Sequence, residues 1–336
     1  MDRLKIGVLG VGHLGKIHLN CLSMLEDLFE VVGFYDPDDK QAQEAHARFG
    51  ISRYEDLDRL LDAVDVVDIV TPTLVHFELA EKALQKGKHL FIEKPVTHTV
   101  AEAESLIQLK DQMKLVVQVG HVERFNPAVL SLDGLSMEPM FIEAHRLAQF
   151  NPRGTDVSVV LDLMIHDLDI VLSMVDSEVV SIHASGVSVL SESPDICNAR
   201  LEFANGCVAN LTASRISLKQ MRKVRLFQKD TYISLDLLDK QAQVIRLFDK
   251  PAGSAEGNGQ MLELPTAHGT KWMSIETPAI EQINAIKMEL ETFGQSVLHN
   301  TPARVPLEDG YEALKLADWI SRDLEERVRI SDIPTP

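Results

Sequence analysis

The run Glu93-Lys94-Pro95 places a lysine at the end of an apolar stretch, residues 89–92, that predicts a buried strand. An ammonium group in such a position can polarise a hydroxyl group and stabilise a developing alkoxide. Further along, Asp162 and His166 are four residues apart, a spacing that puts both on one face of a helix. The carboxylate can orient the imidazole, and the imidazole can accept a proton near neutral pH. Together these side chains suit the oxidation of a secondary alcohol.

Each of these residues also has a simpler interpretation. An aspartate and a histidine at this spacing can form a surface pair or a buried structural pair, and Lys94 alone could be a solvated lysine at a strand edge. Asp162 and His166 could in principle supply two metal ligands, but the sequence offers no third ligand, so we predict no metal site. The oxidation of an alcohol would also need a hydride acceptor.

A glycine-rich turn, Gly10-Val11-Gly12-His13-Leu14-Gly15, follows an apolar strand and precedes a helix, which is the setting of a dinucleotide-binding motif. Gly10 permits the tight turn, Gly12 lets the backbone approach a pyrophosphate, and Gly15 allows close packing of helix on strand. The first N–H groups of the helix, around His13 and Leu14, attract phosphate. The alternative is a glycine-rich turn without a ligand.

Asp36 follows Gly15 by 21 residues and ends the second predicted strand. A carboxylate at this position accepts hydrogen bonds from the hydroxyls of the adenosine ribose. It would repel a 2′-phosphate, so NAD is favoured as the cofactor and NADP is disfavoured. The alternative is that Asp36 only caps a helix ahead of Pro37.

The elements that must position these residues change character along the chain. Strands alternate with helices in the first third, which predicts an α/β fold with a Rossmann dinucleotide-binding domain over residues 1–121. Residues 122–336 predict an α+β domain with a large, mostly antiparallel open sheet, introduced by a helix over 156–175. Asn205-Gly206 predicts a hairpin turn within it. One face of that sheet would be bare, so we expect a homo-oligomer, a dimer or tetramer, built through this domain. The predicted strands are residues 4–9, 31–35, 66–70, 88–92, 115–119, 179–190, 199–203, 207–214, 223–228, 232–238 and 242–247.

Composition narrows the class of partner. The 336 residues carry a formal net charge of -18, which disfavours nucleic acid and anionic membrane surfaces as partners. No apolar run is long enough for a transmembrane helix. The three cysteines form no paired motif and favour a reducing compartment, so we expect a cytoplasmic enzyme that acts on a small molecule.

These motifs, in this order, resemble the Gfo/Idh/MocA oxidoreductases over essentially the whole chain. The resemblance rests on the glycine-rich turn, on Thr71-Pro72-Thr73-Leu74-Val75-His76, on Glu93-Lys94-Pro95 and on Asp162 and His166. It implies NAD(P)-dependent oxidation or reduction at a carbon of a sugar ring or polyol, with Lys94 and His166 as the catalytic pair and Asp162 as their helper. It also implies a cis Lys94-Pro95 bond. Four residues would line the nicotinamide side: Thr71, Pro72, His76 and Glu93.

Two segments are similar to the subgroup that oxidises nucleotide-linked amino sugars, such as UDP-N-acetylglucosamine at C3. They are Val119-Gly120-His121-Val122-Glu123-Arg124-Phe125-Asn126-Pro127 and Leu163-Met164-Ile165-His166-Asp167. The chain departs from the family in lacking a Gly-Gly run ahead of the Asp-x-x-x-His helix. Arg124 and Asn126 are candidate substrate contacts, although Arg124 could instead form an ion pair between domains. The alternatives are an inositol-type dehydrogenase, an NAD-dependent glycosidase, or a non-enzymatic regulator that binds a dinucleotide.

Overall fold

The computed structural model describes residues 3–151, 157–250, 260–267 and 269–331. The chain forms two compact units. The first comprises Met1–Phe125 and Ile283–Lys315, and the second comprises Asn126–Gln282 and the chain from Leu316 onward. The sequence also predicts a polar loop at 253–259 and a loose tail at 333–336, and both lie outside the described residues, as does the predicted helix start at residue 156.

A parallel sheet forms the centre of the first unit. Its strands are β1 (Leu4–Leu9), β2 (Phe29–Tyr35), β3 (Val66–Ile69), β4 (His89–Glu93) and β5 (Val117–Gly120). They lie in the order β2-β1-β3-β4-β5, and every neighbouring pair is parallel. The accompanying helices are α1 (His13–Leu22), α2 (Asp39–Phe49), α3 (Leu57–Ala63), α4 (His76–Gln85), α5 (Val100–Met113) and α8 (Ala285–His299). The predicted Rossmann-type sheet is confirmed, while α3 was not predicted.

Parallel pairing brings the carboxyl ends of all five strands to one edge of the sheet, where open α/β sheets bind ligands. The residue after each strand therefore belongs to this carboxyl edge. Local signals start the helices promptly beyond it. Asp38 accepts hydrogen bonds from the N–H groups of Lys40 and Gln41 at 2.8 and 3.1 Å, which caps α2. Thr99 and Glu102 form a reciprocal capping box at the start of α5.

The segment Ile283–Lys315 belongs to the first unit, whereas the sequence analysis assigned it to the second domain. The reason is a hydrophobic stripe on α8. Leu290 and Phe293 are fully buried in the core that includes Phe29 and Phe91, and the Phe91 and Phe293 rings meet edge to face at 5.9 Å. A helix far along the chain thus completes the core of the N-terminal sheet.

The second unit contains a nine-stranded sheet in its described residues, in the order β13-β14-β12-β11-β10-β6-β9-β8-β7. Only the β6–β9 pair is parallel among these neighbours, so the prediction of a mostly antiparallel sheet is confirmed. Three of these strands, β6, β13 and β14, were not predicted from the sequence. The strands are β6 (Phe141–Leu147), β7 (Val179–Val187), β8 (Ile196–Phe203), β9 (Val208–Ser214), β10 (Met221–Gln228), β11 (Thr231–Asp236), β12 (Gln241–Phe248), β13 (Gln260–Thr266) and β14 (Gly269–Glu276).

One face of this sheet packs on helices, and the other carries a row of apolar side chains. The helices of this unit are α6 (Pro127–Leu130), α7 (Ile165–Met174) and the later part of α9 (Leu307–Ser331). The row lies on directly paired positions of six adjacent strands, and its most exposed member, Phe227, is 38% exposed. It consists of Val208, Phe141, Phe227, Tyr232, Ile245 and Ile275.

The Asn205-Gly206 turn joins β8 to β9 as predicted, with Gly206 at a φ of 87° that favours glycine. The cysteines Cys21, Cys197 and Cys207 are buried and unbonded. Within the part of the chain that the structure describes, no helix combines the length and apolar character required to cross a bilayer.

Candidate functional site

The glycine-rich turn of the first unit has no room for side chains at two of its three glycines. Gly10 has a φ of 89°, and a Cβ there would lie 2.8 Å from the Val70 carbonyl oxygen. A Cβ at Gly15 would lie 2.0 Å from the Gly10 carbonyl oxygen. A Cβ at Gly12, by contrast, would meet nothing within 4 Å, so this glycine faces open space. An open backbone position at this point lets a phosphate group approach closely.

The start of α1 provides hydrogen-bond donors beside that open position. Gly12 is its N-cap residue, and no side chain of the described chain caps the helix. His13 is exposed and Leu14 is partly buried. The uncapped N–H groups and the positive end of the helix dipole therefore suit an anion.

Asp36 lies at the end of β2 and is 8% exposed. Its Oδ2 accepts a hydrogen bond from the Val11 N–H at 2.8 Å, and its Oδ1 accepts one from the Asp38 N–H at 2.9 Å. Each oxygen has a further lone pair, so Asp36 can also accept from hydroxyl groups beside the turn. Arg53, which the sequence analysis did not single out, donates to the Asp36 carbonyl at 3.0 Å and to the Asp39 carboxylate at 2.8 Å.

His76 links two loops of the carboxyl edge from a buried position. Its Nε2 lies 2.8 Å from the Thr71 carbonyl oxygen, and its Nδ1 lies 3.0 Å from that of Pro95. Burial lowers the pKa of His76, and the two carbonyl contacts only partly oppose this effect. A neutral ring has one N–H, which donates to one of the two carbonyls. His76 therefore joins the loop after β3 to the loop after β4, and Pro72 beside it is exposed.

Lys94 is partly buried at the end of β4, and the Lys94-Pro95 peptide bond is cis, as the resemblance implied. The Lys94 N–H donates to Glu93 Oε2 at 3.1 Å. The Glu93 carboxylate lies in a slot beside Gly120, where a Cβ would be 2.8 Å from Glu93 Oε1. The sequence analysis expected Glu93 on the nicotinamide side; its carboxylate reaches a buried polar cluster beneath the strand end, 3.2 Å from His18.

Three further residues of that cluster were not predicted. They are His18 on α1, Asp68 on β3 and Glu289 on α8, each 0% exposed. Only their meeting in the folded core identifies them, because they lie far apart in the sequence on α1, β3 and α8. A histidine and several carboxylates in an apolar core are costly unless they are paired or neutralised.

His121 is a further polar residue of the carboxyl edge, directly after β5, and it is 1% exposed. Neither ring nitrogen has a hydrogen-bond partner among the described residues. Burial, with the charges of Arg124 and Lys94, lowers the pKa of His121 to about 3. The ring is therefore neutral at physiological pH. In the sequence, His121 was not predicted as a site residue.

The two residues expected to contact substrate have partners within their own units. Arg124 forms an ion pair with Asp309, and both belong to the first unit. Asn126 is buried; its Oδ1 accepts from the Ala128 N–H at 3.1 Å, and its Nδ2 donates to the Leu237 carbonyl at 2.9 Å. These contacts cap α6 and hold it to the chain after β11. Their proposed part in substrate binding stays a prediction.

In the second unit, Asp162 and His166 lie one turn apart and are both partly exposed. Asp162 belongs to a π-helical turn, Val160–Met164, that leads into α7, where the sequence predicted an uninterrupted α-helix. Single π turns inside helices are frequent at functional sites. Asp167, which directly follows His166, is buried and forms an ion pair with Arg146. Its carboxylate accepts hydrogen bonds from Arg146 Nη2 and Nε at 2.8 and 3.0 Å.

Two family models match the chain. Residues 4–121 match an oxidoreductase family with an NAD-binding Rossmann fold, and residues 139–230 match the GFO/IDH/MocA C-terminal domain. The chain is 38% identical over 258 residues to UDP-N-acetylglucosamine 3-dehydrogenase of Acidithiobacillus ferrooxidans, which covers 76% of this chain and 80% of that protein. It is 28% identical over 233 residues to scyllo-inositol 2-dehydrogenase (NAD(+)) of Bacillus subtilis, covering 64% of this chain and 68% of that protein.

Solved structures agree with these matches. The structure of the Acidithiobacillus ferrooxidans enzyme has a TM-score of 0.86 and 32% sequence identity, over 97% of this chain and 99% of that chain. Scyllo-inositol dehydrogenase from Lactobacillus casei, with bound NAD(H) and scyllo-inositol, shares the fold at a TM-score of 0.76 and 20% identity, over 97% and 98% of the two chains. The chain belongs to the GFO/IDH/MocA family of oxidoreductases with an NAD-binding Rossmann fold.

Proposed function

We propose that this protein is an NAD-dependent dehydrogenase that oxidises a secondary hydroxyl on a sugar ring, with a nucleotide sugar such as UDP-N-acetylglucosamine, oxidised at C3, as substrate. The observation that carries the proposal is the carboxyl edge of the first unit. There an open glycine, an uncapped helix start, a buried carboxylate and a strand-end lysine follow strands of one parallel sheet. The 38% identical relative, a UDP-N-acetylglucosamine 3-dehydrogenase, supports the choice of substrate.

The residues of the first unit have distinct parts in cofactor binding. Gly10, Gly12 and Gly15 shape the turn, and the N–H groups at His13 and Leu14 receive the pyrophosphate. Asp36 accepts the ribose hydroxyls and disfavours a 2′-phosphate, which favours NAD over NADP. Thr71, Pro72, His76 and Glu93 serve the nicotinamide side, and for His76 and Glu93 the buried contacts support an indirect role through the loops that they hold.

The chemistry needs a polarising cation and a proton acceptor. Bound NAD supplies the hydride acceptor. Lys94 donates a hydrogen bond to the reacting hydroxyl and stabilises negative charge on its oxygen. His166 then takes the hydroxyl proton, and Asp162, one turn earlier on the same helix, orients the imidazole and raises its basicity.

NADH formation measured on UDP-N-acetylglucosamine, inositols and free hexoses tests the proposal. We expect turnover of the nucleotide sugar with NAD and much slower turnover with NADP. Turnover of inositols alone would favour the second candidate, which the 28% identical scyllo-inositol relative supports. Bound NAD without turnover of any of them would contradict a dehydrogenase of this substrate class. Analysis of copurified nucleotide, and of hydrolysis without net NADH, separates the glycosidase and regulator alternatives.

We also propose that the protein is a homo-oligomer assembled through the open sheet face of the second unit, as a dimer or tetramer in the cytoplasm. The apolar row across six strands supports this, because a partly exposed row of apolar side chains favours association. Phe227 lies within the row, with its ring centroid 5.9 Å from that of Phe141 and 4.9 Å from that of Tyr232, and its side chain is exposed. The unbonded cysteines suit a reducing compartment. Sedimentation of Phe227→Glu should reveal smaller species than wild type. The matched change at Leu218, which is 93% exposed and outside the row, should leave the assembly unchanged.

A further inference from the structure

A cluster of four ionisable side chains lies in the core of the first unit, and the proposed reaction does not use most of it. His18 comes from α1, Asp68 from β3, Glu93 from the end of β4 and Glu289 from α8. His18, Asp68 and Glu289 are 0% exposed, and Glu93 is 8% exposed. Three carboxyl groups and one imidazole therefore share a volume that solvent scarcely reaches.

His18 lies between two of the carboxylates. Its Nδ1 is 3.0 Å from Asp68 Oδ2, and its Nε2 is 3.2 Å from Glu93 Oε1. Burial lowers the pKa of His18, but Asp68 and Glu93 outweigh that effect and hold the pKa well above its usual value. The ring is therefore an imidazolium, whose single positive charge faces the two carboxylates on its two sides.

Glu289 is the least compensated member of the cluster. Neither of its carboxyl oxygens has a hydrogen-bond partner among the described residues. A ligand atom of Glu289, one of Glu93 and one of His18 all lie within 4.8 Å of one another. Burial raises the pKa of Glu289 far above its usual value, and the charge of Glu93 raises it further, while the charge of His18 opposes them only in part. The nearby Cys21 thiol cannot compensate, because burial raises its pKa and keeps it neutral.

Glu93 connects this cluster to the carboxyl edge. Its Oε2 accepts the hydrogen bond from the Lys94 N–H, and its Oε1 faces His18. Its carboxylate is also confined by Gly120, where any side chain would collide with it. A second negative charge at Glu289 would push the Glu93 carboxylate away from this position and so loosen the strand end that presents Lys94.

We propose that Glu289 is held as a neutral carboxylic acid beside the Glu93 carboxylate, and that it is thereby a positioning residue for Lys94. The network then contains an imidazolium, two carboxylates and one neutral acid, and it keeps Glu93 in the slot beside Gly120. The part concerning Lys94 rests on the proposed function. The protonation of Glu289 does not.

Infrared difference spectroscopy of the full-length protein at pH 7 tests the protonation directly. The C=O stretch of a carboxylic acid should be present in wild type and absent in Glu289→Gln, whereas Glu291→Gln, an exposed position on the same helix, should leave it in place. Without that band in wild type, the proposal is overturned. It is equally overturned if elemental analysis finds a stoichiometric divalent metal in wild type that Glu289→Gln lacks, because a dication bound by His18, Glu93 and Glu289 would replace the two protons.

Labelling with ¹³C-glutamate keeps the test decisive if Glu289→Gln fails to fold, since it separates a glutamic acid band from one due to Asp68. A second variant, Glu93→Gln, removes the adjacent charge, and the acid band should then disappear at a lower pH than in wild type. An unchanged midpoint would overturn the part of the proposal in which the charge of Glu93 keeps Glu289 protonated.

Kinetics test the positioning role separately. Glu289→Leu should lower kcat by about a hundredfold through misplacement of Lys94. Glu289→Gln preserves a neutral hydrogen-bond donor, so its kcat should be only about threefold below that of wild type. Glu289→Gln should also retain its kcat at alkaline pH values where wild type declines, because the amide cannot lose a proton. Equal losses in both variants would contradict positioning by a neutral acid. The infrared result does not depend on whether any tested sugar is oxidised. Failure of the proposed function can therefore be distinguished from failure of the proposal that Glu289 is protonated.

Discussion

The two units each bury a group of charged side chains, and the two groups differ in charge balance. In the second unit, Arg146 and Asp167 satisfy one another through two hydrogen bonds, and both are at most 3% exposed. In the first unit, one imidazole faces three carboxyl groups, and Glu289 has no hydrogen-bonded partner in the described chain. A balanced pair only supports the fold, whereas an unbalanced cluster must hold protons or a cation. The unbalanced cluster lies beneath the proposed catalytic lysine.

The largest expected effect comes from breaking the balanced pair. Arg146→Met should lower the free energy of unfolding by about 3–5 kcal/mol, because it leaves the Asp167 carboxylate buried without its counter-charge. Urea denaturation measures the change. The exposed pair of Arg200 and Glu202 provides the control, and Arg200→Met should cost less than about 1 kcal/mol. Equal costs at the two arginines would remove the distinction between buried and exposed pairs.

The same chemical substitution should have different effects in the two units. Asp167→Asn replaces a charged acceptor by a neutral one opposite Arg146 and should cost about 2–3 kcal/mol. Glu289→Gln replaces one neutral group by another and should cost less than about 1 kcal/mol. Denaturation of both variants at pH 7 makes the comparison. A larger loss for Glu289→Gln than for Asp167→Asn would show that Glu289 is ionised and needed as a carboxylate.

The smallest expected effect is a pH dependence of stability. Because Asp68 and Glu93 raise the pKa of His18 in the folded protein, the stabilising contribution of His18 is fully present below about pH 6.5, the unfolded value. It is lost as the pH rises through the raised folded pKa, with a slope of at most about 1.4 kcal/mol per pH unit. The difference in unfolding free energy between wild type and His18→Gln should therefore shrink over this range.

An exposed histidine of the same unit provides the control for that slope. His98 is exposed, so the His98→Gln variant is measured beside His18→Gln over the same pH range. A difference between wild type and His18→Gln that is constant with pH would mean that His18 is neutral in the folded protein, and that the cluster holds its charge in another way.

The carboxyl edge of the first unit was predictable because each of its parts has a local signal. Short apolar runs mark the strands, and Gly10, Asp36 and Lys94 each follow one directly. The inner cluster was not predictable in this way. His18 and Glu289 lie on helices that are far apart in the sequence, and only the packing of α8 against the N-terminal sheet brings them together.

The second unit was less predictable for a similar reason. In β6, Glu143 and His145 alternate with inward-facing residues, but the inward position 146 is itself an arginine, which obscures the apolar alternation. In β13, Pro265 weakens the strand pattern. The π turn at Val160–Met164 has no sequence signal, since it depends on how the chain leads into α7.

The most direct test of the account is turnover by Lys94→Ala, measured as NADH formed from UDP-N-acetylglucosamine, with NAD affinity measured on the same protein. Lys86→Ala, a lysine that precedes β4 and pairs with Asp62, is the control for loss of a lysine near the same strand. We predict that Lys94→Ala lowers kcat by about a hundredfold or more and changes NAD affinity by less than about threefold, while Lys86→Ala matches wild type. Unchanged turnover in Lys94→Ala, or loss of turnover together with NAD binding, would contradict the catalytic role of this lysine.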